Sequence, residues 1–150
     1  MPPRPPPRLP HGTKVYAVGD VHGRVDLLGD LHAGIAADLA ASRPARSVIV
    51  YLGDYVDRGP DSSGVLDLLL DRKLPAEETV HLLGNHERIL LEFLERPEVG
   101  ANWLLYGGVE TLASYGIEFG GIGGIPATRL ARARDLLAAR LPARPLAFLA

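Results

Sequence analysis

Three short apolar runs of this sequence end in the same way, with a glycine followed by residues that can bind a cation. The runs are rich in Val, Ile, Tyr and Leu, and residues of these types in runs of this length favour buried strands. Between the runs, leucines recur every three or four residues, which indicates helices. We predict strands over 13–18, 47–54 and 79–85, and helices over 25–41, 59–73 and 86–96. Strands that alternate with helices predict βαβ units, a parallel sheet and an α/β fold.

The remaining segments carry weaker patterns. A short helix is predicted over 108–115, a glycine-rich loop over 116–126 and an arginine-rich amphipathic helix over 128–141. We interpret its arginines as a solvated face, with a phosphopeptide-contacting patch as the alternative. The last seven residues, RPLAFLA, are expected to be an apolar tail.

The first residues have a composition that cannot build a core. Six of the first ten are proline, which favours an extended, polyproline-like chain. We predict a disordered tail over 1–11 and a single domain over 12–150.

Composition excludes several classes of protein. The formal net charge of −2 argues against a nucleic-acid-binding surface, which is typically basic. Without cysteine the chain has no disulfide framework and no thiolate metal site. No apolar run approaches the roughly 20 residues that a membrane helix needs, and the N-terminus lacks the apolar stretch of a secretory signal. We therefore expect a cytoplasmic protein that binds neither nucleic acid nor membranes.

The polar residues at the strand ends predict a metal site. Ligands of parallel sheets bind at the carboxyl ends of the strands, so Asp20 and His22 should lie near Asp54 and Asn85. Carboxylate, amide and imidazole ligands suit Mn²⁺, Fe or Zn²⁺. Asp54 could bridge two metal ions, and Asn85 could be one of the ligands of the second ion. Two such ions activate a water molecule and stabilise the oxygens of a transferring phosphoryl group.

Three neighbouring residues suit phosphoryl transfer. His86 could be a general acid on the leaving oxygen, and Asp57 could orient its imidazole. The planar guanidinium of Arg58 matches the geometry of phosphate.

The motifs GDVHG (19–23), GDYVDRG (53–59) and GNHE (84–87) together resemble the signature of the phosphoprotein phosphatase branch of the calcineurin-like metallophosphoesterases. That branch includes metal-dependent serine/threonine protein phosphatases, the bacteriophage lambda-type phosphatase and symmetrical diadenosine tetraphosphate hydrolases. The resemblance covers residues 14–116, and WLLYGGVETLASYG is similar to a segment of bacterial members.

The resemblance implies a metal-activated hydroxide and two divalent ions, most commonly Mn²⁺, with Fe or Zn²⁺ as alternatives. The implied metal ligands are Asp20, His22 and Asp54 for the first ion, with Asp54 bridging, and Asn85 for the second. The implied catalytic and substrate-binding residues are His86 as acid, Asp57 as its partner, and Arg58 and Asn85 at the phosphate. Substrates would be a phosphoprotein or a small phosphoester, and the oligomeric state stays open.

One departure from the family pattern concerns the second metal. The family places two more histidine ligands and a further arginine downstream of the third motif, whereas the histidines here are residues 11, 22, 32, 81 and 86. The resemblance therefore implies a C-terminally truncated domain, the N-terminal half of a four-layer αββα sandwich with the second sheet largely missing. It leaves two alternatives to a serine/threonine phosphatase: an inactive or weakly metal-binding remnant, and a symmetrical diadenosine tetraphosphate hydrolase.

Some polar and aromatic residues have a structural interpretation. Glu87 is expected to favour the start of a helix through its charge, and His81 to be packed within or at the edge of the sheet. Trp103 and Tyr106 are predicted to lie in the core, with a substrate-contacting surface as the alternative.

Overall fold

The computed structural model describes residues 8–121 and 123–150. Strands β1 (Thr13–Val18), β2 (Arg46–Tyr51) and β3 (Glu78–His81) form a parallel sheet in the order β1-β2-β3. The helices are α1 (Val25–Ser42), α2 (Ser62–Asp71), α3 (Asn85–Glu95), α4 (Gly100–Trp103), α5 (Val109–Ser114), α6 (Ala127–Arg140) and α7 (Ala143–Leu149). The predicted α/β fold with a parallel βαβαβ sheet is confirmed. Of the predicted tail, residues 1–7 lie outside the described residues, and residues 8–11 are exposed.

The two faces of the sheet differ in burial. Val18 pairs with Tyr51, and both lie on the face that packs against the helices, where they are buried. Side chains alternate along a strand, so Val15 lies on the opposite face and is 38% exposed. Leu52, just beyond β2, is 50% exposed. The core therefore lies on one face of the sheet.

Two strands are shorter than predicted, because the chain leaves the sheet before the motif residues. Gly53 (φ +98°) and Asp54 (φ +56°) adopt left-handed backbone conformations, which cannot continue a strand. The backbone N–H groups of Asp54, Tyr55 and Val56 donate to the Glu87 side chain rather than to a neighbouring strand. The polar residues therefore lie in loops at the carboxyl edge of the sheet.

The predicted helices are present with small shifts at their ends. Helix α1 buries the stripe Leu28, His32, Ile35 and Leu39. Helix α2 begins after Asp61, whose side chain accepts a hydrogen bond from Gly64 N at 2.7 Å, a standard N-cap.

The prediction of an apolar tail at the end of the sequence is wrong, because residues 143–149 form helix α7. Pro145 and Leu149 are buried, and the Phe148 ring lies 5.0 Å from the His81 ring. His81 in turn stacks on Tyr51 at 4.8 Å, so its predicted packing role is confirmed.

Between α4 and α5 the helical path kinks within residues 104–108. Tyr106 (φ −99°, ψ 15°) and Gly107 (φ +107°, ψ 9°) have non-helical conformations. Trp103 is buried against Phe93, with ring centroids 4.7 Å apart, as predicted. Tyr106 is not in the core, because the kink leaves its side chain 57% exposed.

Among the described residues, no helix is both long enough and apolar enough to cross a membrane.

Candidate active site

The three loops at the carboxyl edge of the sheet bring His22, Asp54 and His86 together. Each offers a ligand atom, and these atoms all lie within 4.8 Å of one another. The first two loops are joined by backbone hydrogen bonds, since Val21 N and His22 N both donate to the Asp54 carbonyl at 3.0 and 2.9 Å. The third loop joins them through His86 N, which donates to Asp54 Oδ1 at 3.2 Å.

The loops contain an unusual concentration of left-handed backbone. His22, Asp54, Asp57 and Arg58 have φ values of 44°, 56°, 73° and 65°. Such conformations cost non-glycine residues of the order of 1 kcal/mol each and cluster at functional sites. The surrounding structure fixes them, because a Cβ on Gly59 would overlap the His22 carbonyl oxygen.

The imidazole of His22 is oriented as a metal ligand would be. Its Nδ1 lies 2.8 Å from the Val56 carbonyl oxygen, so Nδ1 carries the proton and donates. Nε2 is buried and has no hydrogen-bond partner among the described residues. This free nitrogen lone pair, with the Asp54 carboxylate nearby, fits a divalent ion such as Mn²⁺, Fe²⁺ or Zn²⁺.

Two of the four predicted metal ligands lie at the edge of this group. The Asp20 carboxylate is 68% exposed, with Oδ2 at 3.6 Å from His22 Nε2. Asn85 is exposed at the start of α3. The structure thus places His86, predicted as an acid, close to His22 and Asp54, although both of its ring nitrogens are hydrogen-bonded to other residues, and Asp20 lies at the edge of the group.

His86 connects Asp57 to Arg58. Its Nδ1 lies 2.8 Å from Asp57 Oδ2, and its Nε2 lies 2.9 Å from Arg58 Nη2. A guanidinium can only donate, so Nε2 accepts and the proton resides on Nδ1, which donates to the carboxylate. In this arrangement the imidazole is neutral.

Asp57 is fully buried and held by residues far away in the sequence. Trp103 Nε1 donates to its carboxylate at 2.9 Å, and the Thr111 hydroxyl donates at 2.7 Å. Burial raises the pKa of the Asp57 carboxyl, while hydrogen bonds from Thr111, His86 and Trp103 act in the opposite direction. The carboxylate therefore has one fixed orientation toward His86.

Glu87 has a larger role than its predicted one at the helix start. Its buried carboxylate accepts backbone N–H groups of Asp54, Tyr55, Val56 and Gly84 at 2.7–3.1 Å. It thereby joins the second and third loops. The burial of Glu87, the last residue of the GNHE motif, could not be read from the sequence, because acids are also enriched in the first turn of exposed helices.

Arg58, Asn85, His86, Ile89 and Tyr106 line a cavity of about 230 Å³ beside the ligand cluster. Three of these residues were predicted to contact substrate or act in catalysis. Tyr106, in contrast, was predicted to lie in the core.

Comparison with known proteins agrees with this geometry. The family model described as calcineurin-like phosphoesterase matches residues 13–142. The chain is similar to serine/threonine-protein phosphatase 2 of Escherichia coli, with 36% identity over 99 residues, 65% of this chain and 40% of that protein. It is also similar to serine/threonine-protein phosphatase 1 of Salmonella typhimurium, with 34% identity over 94 residues, 63% of this chain and 38% of that protein.

A third relative carries a different name. The zinc-dependent endopolyphosphatase of Saccharomyces cerevisiae is 31% identical over 85 residues, 54% of this chain and 23% of that protein. The chain thus spans 23–40% of the length of these curated relatives. The family match covers most of the sequence, and on that basis the chain belongs to the calcineurin-like phosphoesterase family.

Proposed function

We propose that this protein is a metal-dependent phosphoric monoester hydrolase that acts on phosphoserine or phosphothreonine in proteins. The observation that carries the proposal is the cluster of His22, Asp54 and His86, next to the Asp57–His86 hydrogen bond and Arg58. Names of the bacterial relatives support the serine/threonine specificity.

In this proposal Asp20, His22 and Asp54 would hold one Mn²⁺ or similar divalent ion, and Asn85 would contribute to a second. The free Nε2 of His22 and the Asp54 carboxylate would be ligands of the first ion. When bound, such an ion lowers the pKa of a coordinated water and places positive charge opposite the phosphoryl oxygens.

Arg58 and His86 then act on the substrate. A phosphoryl oxygen is a stronger acceptor for a guanidinium than an imidazole nitrogen is, so substrate draws Arg58 away from His86. The freed Nε2 can take up a proton from solvent and donate it to the leaving oxygen as the bond between phosphorus and that oxygen breaks. Asp57 keeps the ring oriented through Nδ1 and stabilises its charged form.

The test is hydrolysis of p-nitrophenyl phosphate and of a phosphoserine peptide at saturating Mn²⁺. We expect EDTA to abolish turnover and His86→Asn to lower kcat by about 10²–10⁴-fold, the usual contribution of a general acid. His11→Gln, in the exposed N-terminal segment, is the matched control and should keep wild-type turnover. Equal rates for wild type and His86→Asn would contradict the proposal.

A second candidate is metal binding without hydrolysis. Among residues 8–121 and 123–150, one group of three His or acidic side chains could hold an ion, which favours a single metal. Calorimetric titration with Mn²⁺ separates the two candidates. Two tight sites would contradict metal binding without hydrolysis, whereas one site together with an inactive wild type would support it.

Diadenosine tetraphosphate and polyphosphate in the same hydrolysis assay test the other substrate classes.

A further inference from the structure

Tyr106 lies in a kink that is docked on the second loop. Arg58 N donates to the Gly107 carbonyl oxygen at 3.1 Å. A Cβ at Gly107 would overlap the backbone nitrogen of Arg58 and lie 2.7 Å from its Cγ. The position of Tyr106 relative to Arg58 is therefore fixed by the backbone, although its ring is exposed.

The cavity that Tyr106 lines has both polar and apolar walls. Arg58, Asn85 and His86 contribute polar groups, and Ile89 and Tyr106 contribute apolar surface. If His86 protonates the leaving oxygen, as the proposed function requires, the carbon skeleton attached to that oxygen lies against Ile89 and Tyr106.

The size of the cavity permits a planar group. Apolar cavities of roughly 150 Å³ accept benzene, and this cavity has about 230 Å³. It has room for a phosphoryl group beside the polar residues and for one ring against Tyr106. An exposed tyrosine ring offers a rigid, amphipathic surface for stacking.

We propose that Tyr106 is a specificity-determining residue that packs against the carbon skeleton of the leaving group, so that a planar aromatic phosphoester, which can stack on the ring, binds more tightly than a small alkyl one. The aliphatic atoms of a phosphoserine or phosphothreonine side chain would contact the same ring. The inference rests on the proposed function for the orientation of the substrate. Tyr106 belongs to the kinked segment and to none of the three motifs, so the inference adds a residue to the site that the motifs do not contain.

The first experiment measures binding without turnover. Calorimetry in the presence of Mn²⁺ compares phenylphosphonate with methylphosphonate, two phosphate analogues that cannot be hydrolysed as esters. We expect wild type to bind phenylphosphonate about threefold to tenfold more tightly, the range of one aromatic contact. Tyr106→Ala should remove this preference, whereas Tyr106→Phe, which keeps the ring, should retain it.

Leu105→Ala is the matched control, because Leu105 is the neighbouring exposed residue and does not line this cavity. Circular dichroism checks that each variant is folded. No preference in wild type, or an unchanged preference in Tyr106→Ala, would overturn the inference.

The second experiment measures hydrolysis, in which Tyr106→Ala should raise KM for p-nitrophenyl phosphate by the same factor as the loss in binding and leave kcat nearly unchanged.

The two experiments separate the inference from the proposed function. Phosphonate preference without any hydrolysis would contradict the proposed function and support the role of Tyr106. Hydrolysis that is equally efficient in wild type and Tyr106→Ala for aromatic and alkyl phosphates would support the proposed function and overturn the role of Tyr106.

Discussion

At the scale of single residues, one buried carboxylate determines the arrangement of two loops. Oε2 of Glu87 accepts from Asp54 N and Gly84 N, and Oε1 accepts from Tyr55 N and Val56 N. Charge-assisted hydrogen bonds of this kind are about twice as strong as neutral ones. Within the described residues, the carboxylate of Glu87 is hydrogen-bonded to a predicted ligand only through the backbone N–H of Asp54. Glu87 therefore acts on the site by positioning it.

We expect Glu87→Gln to lower the free energy of unfolding by about 3 kcal/mol. An amide has one acceptor oxygen, so whichever way it is oriented its NH₂ group faces two backbone N–H donors. Urea denaturation measures the loss. Glu95→Gln, at the exposed end of the same helix, is the control and should change stability by less than about 0.5 kcal/mol. A loss of equal size in both variants would contradict this role of Glu87.

His32 gives the fold a dependence on pH. Its ring is buried, and its Nε2 lies 2.7 Å from the Tyr51 hydroxyl. Burial lowers the pKa of His32 below its ordinary value of 6.5, and the charge of Arg72 lowers it further. Burial also raises the pKa of Tyr51 to about 12, so this partner stays neutral. The folded protein therefore favours the neutral form of the His32 imidazole.

Stability should consequently fall as pH drops below 6.5, because the unfolded chain takes up a proton there that folded His32 does not. One such group contributes a slope of up to about 1.4 kcal/mol per pH unit. Burial lowers the pKa of His81 as well, so it adds a slope of the same sign. We expect His32→Gln to reduce the slope between pH 7.5 and 5.5 in urea denaturation, and His11→Gln to leave it intact. An unchanged slope in His32→Gln would contradict the assignment.

At the same scale, the sequence could predict which residues lie at the strand ends but not what holds them. His22, Asp54 and His86 follow strands of one parallel sheet, and topology alone brings strand ends together. Asp57, in contrast, is held by Trp103 and Thr111, which lie 46 and 54 residues away. A hydrogen bond across that separation depends on packing of the whole helical layer, which no local pattern encodes.

At the scale of elements, the kink within 104–108 differs most from the sequence pattern. The sequence analysis predicts core positions for both Trp103 and Tyr106, but the kink leaves the Tyr106 side chain exposed. The cause is the close approach of Gly107 to Arg58, where only a residue without Cβ fits. The end of β2 was overestimated because the left-handed residues Gly53 and Asp54 follow it, and the apolar pattern of the strand does not reveal them.

We expect Gly107→Ala to lower the free energy of unfolding by more than about 2 kcal/mol, because a positive φ and an overlap with Arg58 act together. Gly34→Ala is the matched control. Gly34 lies within α1 and a Cβ there meets no atom within 4 Å, so the substitution should stabilise the helix by about 0.5–1 kcal/mol. Urea denaturation of both variants measures the difference, and destabilisation by Gly34→Ala as large as that by Gly107→Ala would show that the kink has no special constraint.

At the scale of the whole molecule, the sheet is covered on one face only within the described residues. Val15 and Val18 lie in the same strand with side chains on opposite faces, 38% and 7% exposed. They are the same residue type, so a comparison of the two isolates the effect of the covering layer from that of strand propensity.

We expect Val18→Ala to lower the free energy of unfolding by about 2 kcal/mol, since it leaves a cavity between β1 and the helices. Val15→Ala should cost less than about 1 kcal/mol, because it removes methyl groups that already contact water. Urea denaturation at two protein concentrations provides the measurement. A loss for Val15→Ala that equals that for Val18→Ala and grows with concentration would mean that another copy of the chain covers this face in solution, because only self-association makes the stability of a face depend on concentration.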